Sequence, residues 1–257
     1  MKIDEQLKAV AVRLADAARD AAMQHFLTPL DAERKADASP VTRADREAEQ
    51  AMRVLLEGLV PGHGVVGEEF GATRPDAEFV WVLDPIDGTK AYVTGKPLWG
   101  TLIALLRDGE PYLGIIDLGA LNQRWVGLRG AATTLNGVPC HTSGCEILSQ
   151  ARLGCTSPDI FTAAKLTQFN ALGREVWFRS FGGDCAAYAT LASGHLELVV
   201  EAGLQNHDYA ALVPVVQGAG GVITDWQGRQ LLGHGEADVV AAANPTMHQA
   251  ALDALGH

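Results

Sequence analysis

Apolar residues along the chain follow two periods. Near the N-terminus, Leu7, Val10, Leu14, Ala18 and Ala21 recur at three and four residues, which predicts an amphipathic helix over residues 4 to 26, closed by Thr28-Pro29. A second helix is predicted from Asp45, with Ala48, Met52, Leu55, Leu56 and Leu59 on its apolar face and Asp45 in the first turn, a favoured capping position. Between the two helices, Lys35-Ala36-Asp37-Ala38-Ser39-Pro40-Val41-Thr42 has no period and reads as a polar loop, either a connector or an active-site flap.

Strand-like runs follow. Phe79-Val80-Trp81-Val82-Leu83 has strand length and composition. Residues 98–106, 112–118 and 123–128 are predicted as a meander, with Gly109-Glu110 turning the first pair and Asn136-Gly137 giving a hairpin signal. Beyond it the pattern alternates: strand 147–155, helix 159–171, strand 176–178, helix 185–193 opened by Gly182-Gly183-Asp184, and strand 196–200 leading to Glu201. A helix from Asp208 to Ala219 must accommodate Pro214. Strands 222–224 and 239–243 and a final helix 245–255 complete the chain. An antiparallel part followed by an alternating part implies an α+β or layered architecture.

At 257 residues the chain can form one domain, or two intimate lobes of roughly 1–140 and 141–257. A net charge of −11 argues against a nucleic-acid partner or an anionic membrane. The charged start Met1-Lys2-Ile3-Asp4-Glu5 lacks the apolar core of a signal peptide, and no apolar run has transmembrane length, so a cytoplasmic location is expected. Cys140, Cys145, Cys155 and Cys185 form no zinc-like pattern and read as reduced thiols.

Two stretches carry chemistry. Gly67-Glu68-Glu69 ends a Gly/Val-rich run, and Asp84-Pro85-Ile86-Asp87-Gly88-Thr89 follows the strand at 79–83. Pro85 fixes its own φ and holds Asp84 extended, which pre-orients two carboxylates and lets the Ile86 carbonyl turn to the same side. Hard oxygen donors of this kind suit Mg²⁺. Gly88-Thr89 then offer backbone N–H groups at a predicted helix start, where phosphate is favoured. With Asp208 the set could clamp two cations about 3.5–4 Å apart on the attacking and leaving oxygens of an in-line displacement. Thr89 would orient the water if Asp45 accepts the hydrogen bond from its hydroxyl. Each residue also has a plain reading: Glu68-Glu69 as a solvated pair, Asp84-Pro85 as a turn, Asp45 or Asp208 as a helix cap.

Taken together, Gly67-Glu68-Glu69, Trp81-Val82-Leu83-Asp84-Pro85-Ile86-Asp87-Gly88-Thr89, Asp208 with Gly220-Gly221, and Ser39-Pro40-Val41-Thr42 ahead of Asp45 resemble the inositol monophosphatase superfamily over nearly the whole chain. The resemblance implies the layered αβαβα sugar-phosphatase fold, Mg²⁺ dependence with two to three ions (Mn²⁺ as a substitute), lithium sensitivity and a homodimer. It implies Glu68, Asp84 and the Ile86 carbonyl on a first metal, and Asp84, Asp87 and Asp208 on a second. Glu68 would share a third, weaker ion and join the catalytic set with Asp45 and Thr89. The implied substrate-binding residues are Asp87, Gly88, Thr89, Lys90, Arg179, Asp184, Glu201 and Asp208.

Several segments resemble the histidinol-phosphatase branch, among them Gly95-Lys96-Pro97-Leu98-Trp99-Gly100-Thr101-Leu102, Gly182-Gly183-Asp184-Cys185 and Asp208-Tyr209-Ala210-Ala211-Leu212-Val213-Pro214. Histidinol phosphate carries an ammonium and an imidazole, for which Asp184 and Glu201 would be acceptors. Asp184 reads equally as the N-cap of the 185–193 helix, Glu201 as a general polyol-binding residue, which the resemblance also allows, and Arg179 either contacts phosphate or pairs with an acid. The expectation is a small-molecule phosphate ester, L-histidinol phosphate in histidine biosynthesis. An inositol-1-monophosphatase or broad sugar phosphatase is the alternative, and an inactive metal- or phosphate-binding regulator is the alternative of another class.

Overall fold

A computed structural model of the chain describes residues 3–28, 33–34 and 40–256. Most of the polar loop read from the sequence, Lys35 to Ser39, lies outside the described residues. The first helix, α1 (Ile3–His25), matches the apolar period. The second, α2 (Arg43–Leu59), begins two residues before Asp45, because Thr42 is its N-cap and Asp45 closes a capping box from the third position. The two-residue strands β1 (Glu33–Arg34) and β2 (Pro40–Val41) pair ahead of it.

One sheet takes the next strands: β3 (Gly64–Gly67), β4 (Gly71–Thr73), β5 (Phe79–Asp87), β6 (Gly100–Arg107), β7 (Glu110–Leu118), β8 (Gln123–Leu128), β9 (Thr134–Leu135) and β10 (Val138–Pro139). Their order is β10-β9-β8-β7-β6-β5-β3-β4, antiparallel except where β3 runs parallel to β5. The short helix α3 (Thr89–Val93) follows β5. The second sheet is built from β11 (Arg152–Cys155), β12 (Phe178–Phe181), β13 (Leu198–Leu204), β14 (Val222–Asp225) and β15 (Ala237–Ala242), in the order β12-β11-β13-β15-β14. Its helices are α4 (Ala163–Glu175), α5 (Asp184–Ala192), α6 (Asn206–Tyr209), α7 (Leu212–Gly218) and α8 (Pro245–Leu255).

Alternation along the strands creates the layers. Trp81, Leu83, Ile103, Leu105 and Ile115 face one way and bury against Leu7, Leu14 and Ala18 of α1 and Met52 and Leu56 of α2. Val80, Val82, Leu102, Ala104 and Ile116 face the other way, against α5 and α7. Those helices also cover Val199, Val239 and Ala241 of the second sheet. The opposite face of that sheet, with Leu198, Val200, Val240 and Ala242, packs on Phe169 and Leu172 of α4 and Met247 and Ala251 of α8. The result is the expected αβαβα stack.

Several boundaries differ from the sequence reading. Strand β5 does not end at Leu83. It continues to Asp87 through a register shift between Asp84 and Asp87, a bulge that lets the ladder tolerate Pro85, which has no N–H. The helix expected at 159–171 begins at Ala163, after a 3₁₀ turn at Pro158–Ile160, with Thr162 as its cap. The strand expected at 147–155 is confined to 152–155, the strand at 176–178 moves to 178–181, and the strand at 196–200 becomes 198–204. The late helix is split, because Pro214 cannot donate to the Ala210 carbonyl one turn earlier.

Helix α7 sits directly on the backbone of the first sheet. A Cβ on Gly114 of β7 would lie 2.0 Å from the Ala211 carbonyl oxygen and 2.8 Å from Pro214 Cγ. Gly114→Ala should therefore push α6–α7 outward and cost roughly 1–3 kcal/mol of stability. Urea unfolding of the variant at an unchanged m-value checks this, and a wild-type midpoint would show that the helix accommodates the methyl group.

Candidate active site

Three elements converge at one end of the layered stack. At the end of β3, Gly67 pairs with Leu83, and the Glu68 amide donates to the Leu83 carbonyl at 3.2 Å. The parallel ladder thus extends one residue beyond β3 and sets Glu68 beside Asp84. The bulge in β5 presents Asp84 and Asp87 together, held by a 3.1 Å bond from the Ile86 amide to Asp84 Oδ1. It also turns the Pro85 carbonyl to the buried Thr101 hydroxyl at 2.8 Å. Asp208 arrives on α6, where its Oδ2 accepts from the Gln205 amide at 2.7 Å. Asp84, Asp87 and Asp208 each place a carboxylate oxygen within 4.8 Å of the others.

This crowding shifts their protonation. The Asp84 carboxyl is held well above its ordinary range, first by burial and then by the charges of Glu68, Asp87 and Asp208. Asp87 is raised likewise by burial and by Asp184 and Asp208, although the Cys185 amide donates to its Oδ2 at 2.6 Å. Converging hard oxygens with mutually repelling charge are the donor set that fits a divalent cation such as Mg²⁺. Cation binding would also remove the repulsion.

The other expected residues surround this cluster. Asp45 is buried, its Oδ2 accepting from the Thr42 amide at 2.8 Å and the Thr42 hydroxyl at 2.6 Å. Burial, aided by Glu69 and Glu68, raises it to about 6 against the pull of the Thr42 bonds. The Thr89 hydroxyl does not use Asp45 as its acceptor: it donates to the Ile86 carbonyl at 3.1 Å. Gly88, in the left-handed region at φ 79°, turns the chain from β5 into α3, as the sequence predicts.

Glu201 is buried between two donors, the Thr156 amide at 2.7 Å on Oε1 and the Tyr188 hydroxyl at 3.0 Å on Oε2. Burial lifts it to about 6 in spite of both bonds. Asp184 is not the N-cap of α5. Gly183 occupies that position, and Asp184 is the first helical residue, at φ 42°. Its carboxyl is raised by burial, opposed by a hydrogen bond with Thr156 and by the charges of Lys90 and Lys96. Lys90 is exposed, close enough for its charge to act on Asp184. Asp87, Asp184, Glu201 and Asp208 line one cavity of 120 Å³ together with Thr156 and Tyr188.

Arg179 is the expected site residue that the structure takes elsewhere. It lies exposed on β12, donates to Asn170 Oδ1 of α4 at 2.7 Å and stacks its guanidinium over Phe169 at 5.8 Å. The sequence leaves Arg179 either on phosphate or paired with an acid; pairing of β12 with β11 instead aims it at α4. Conversely, sequence reasoning missed Thr42, Thr156, Tyr188 and Glu49. Glu49 had a signal: it is an acid beside Ala48, on the apolar face of α2.

A model of the inositol monophosphatase family matches residues 3–256. The chain is 45% identical to the bifunctional phosphatase IMPL2, chloroplastic, of Arabidopsis thaliana, over 98% of this chain and 75% of that protein. It is 37% identical to the histidinol-phosphatase of Mycobacterium tuberculosis, over 96% of each. A solved structure of an inositol monophosphatase from Zymomonas mobilis superposes with a TM-score of 0.92 at 45% identity over the full length of both chains.

Two expected outcomes follow from the site. Asp84→Asn should lower phosphate release from an aryl phosphate by roughly a hundredfold or more while the circular dichroism spectrum stays native; near-normal turnover would remove Asp84 from the site. Glu201 binds its proton more tightly in the folded chain (about 6) than at its ordinary value of 4.5. Its contribution to stability is therefore fully present below about 4.5 and lost as pH rises through about 6. In EDTA, the stability of the wild type relative to Glu201→Gln should fall across that window, as read by denaturant unfolding at each pH; a flat difference would mean that Glu201 titrates normally.

Proposed function

The chain belongs to the inositol monophosphatase family, and from that premise we propose that it is a Mg²⁺-dependent phosphomonoesterase acting on L-histidinol phosphate. The family is metal-dependent, and the acidic cluster is present. In this reading Glu68, Asp84, Asp87, Asp208 and the Ile86 carbonyl hold two to three Mg²⁺ ions, with Mn²⁺ as a substitute. Bound there, the metal supplies positive charge that polarises the phosphoryl group and acidifies water. The Gly88 and Thr89 amides orient the phosphate, with Lys90 near them. Asp45, at about 6, is suited to take a proton near neutral pH. The Thr89 hydroxyl, which donates to the Ile86 carbonyl, is a rotor; in this reading it would turn toward Asp45 to orient water.

The observation that carries the substrate reading is the lining of the 120 Å³ cavity. Beyond Asp87 and Asp208, which this reading gives to metal, Asp184 and Glu201 face it, and none of its lining residues is a lysine, arginine or histidine. Such a wall favours the ammonium and imidazole of histidinol phosphate, with Asp184 and Glu201 as acceptors, over a neutral polyol. The Mycobacterium tuberculosis relative named histidinol-phosphatase supports it. The alternative, an inositol-1-monophosphatase or broad sugar phosphatase, is favoured by the Zymomonas mobilis structure, whose description names an inositol monophosphatase. An inactive regulator is disfavoured by the presence of the whole acidic set. A homodimer, lithium inhibition, cytoplasmic location and a step in histidine biosynthesis belong to the same proposal; no described helix is long and apolar enough to cross a membrane.

The test compares phosphate release from L-histidinol phosphate and myo-inositol 1-phosphate, each with Mg²⁺ and with EDTA. The expected kcat/KM preference is about a hundredfold for histidinol phosphate, near 2.7 kcal/mol, and EDTA abolishes both reactions. A preference for inositol phosphate would shift the reading to the alternative. Asp184→Ala should depress kcat/KM for histidinol phosphate by about tenfold more than for an aryl phosphate; equal losses would take Asp184 out of substrate recognition.

A further inference from the structure

Glu49 is a fully buried acid one turn beyond Asp45 on α2. Its Oε2 accepts from the Glu69 amide at 2.7 Å, and its Oε1 accepts from the Phe70 amide at 3.2 Å and from Arg53 Nε at 2.7 Å. Arg53 in turn donates through Nη2 to the Gly71 carbonyl. The carboxylate also packs against Gly67, where a Cβ would stand 2.0 Å from Oε1 and 2.4 Å from Cδ. A buried charge of this kind persists only where donors compensate it, and here two of the three are consecutive backbone amides of one segment.

We infer that Glu49 is a positioning residue, which fixes the backbone that carries Glu68 and so sets the geometry of the acidic cluster. On one side of Glu68, Gly67 is locked in the β3 ladder opposite Leu83, and on the other, the Glu69 amide is tied to Glu49. Glu68 has no freedom to slide along the strand relative to Asp84. Because Arg53 neutralises Glu49, its contribution is geometric rather than a field at the cluster. The inference rests on the metal-dependent reading above.

Metal-free full-length protein should be titrated with Mn²⁺ and read by electron paramagnetic resonance, for the wild type, Glu49→Gln and Glu49→Asp. Gln supplies one acceptor oxygen where two are used, and Asp keeps the charge but withdraws it by one methylene. Both variants should bind Mn²⁺ about tenfold or more weakly. In turnover assays their half-saturating Mg²⁺ should rise by a similar factor, while kcat at saturating Mg²⁺ recovers to within about threefold; a loss of folded protein alone would not move the half-saturation point. Wild-type affinity in Glu49→Asp or in both variants overturns the inference. Absence of Mn²⁺ binding by the wild type instead overturns the metal reading, and the purpose assigned to Glu49 with it. Should neither variant fold, hydrogen exchange of the wild type decides: the Glu69 and Phe70 amides should be strongly protected for residues beyond a strand end, and exchange at open-loop rates would overturn the inference.

Discussion

Bringing Asp84, Asp87 and Asp208 within 4.8 Å of one another is the constraint around which the rest of the molecule is arranged. At an effective dielectric constant near 20, two unit charges 4 Å apart repel by about 4 kcal/mol. Local turn geometry orients Asp84 and Asp87, but only rigid elements can hold Asp208 against them. The β5 bulge fixes two of them, paired to β6 on one side and directly following the segment of β5 that pairs with β3 on the other. Helix α6 brings the third, and α7, seated on the bare backbone of Gly114, holds α6 in place. Burial and the neighbouring carboxylates raise the proton affinity of Asp84 and Asp87 accordingly.

The five layers serve that arrangement. The middle layer of α5 and α7 is shared by both sheets, so the site forms where the ends of β5, α5 and α6 meet. The Cys185 amide at the start of α5 reaches Asp87 across 98 positions of sequence, joining the metal-binding face to the wall that carries Asp184 and Glu201. Asp87, Asp184, Glu201 and Asp208 are thereby parts of one continuous acidic surface. In a chain of net charge −11, the cations proposed for this cluster would supply the positive charge that an anionic ester needs there.

Polar groups behind the site divide into two kinds. Thr42 donates to Asp45, and Thr156 and Tyr188 donate to Glu201 at the cavity; these bonds oppose burial, which still raises both carboxyls to about 6. Glu49 and Arg53 satisfy backbone instead and act on position. The two kinds are distinguishable because the first changes protonation and the second changes where an oxygen stands.

Local chemistry made much of the site readable in one dimension. Asp84-Pro85-Ile86-Asp87-Gly88-Thr89 is a short segment whose own dihedral restrictions orient its donors, and Gly67-Glu68-Glu69 and Asp208 are recognisable by residue type and neighbours. Apolar periodicity likewise determined α1, the face of α2 and the β6–β8 meander, since each period is set by one element's geometry. Tertiary structure decided the rest. Strand β5 runs past Pro85 only because β6 accommodates a bulge, and the break before α7 follows from packing on Gly114 as well as from Pro214. Arg179 turns to α4 because β12 pairs with β11, a partnership that no local pattern encodes. Glu49 serves a segment twenty residues away. Local sequence specifies which atoms can ligate, cap or turn; which of them meet depends on long-range pairing and burial, which act only once the layers close.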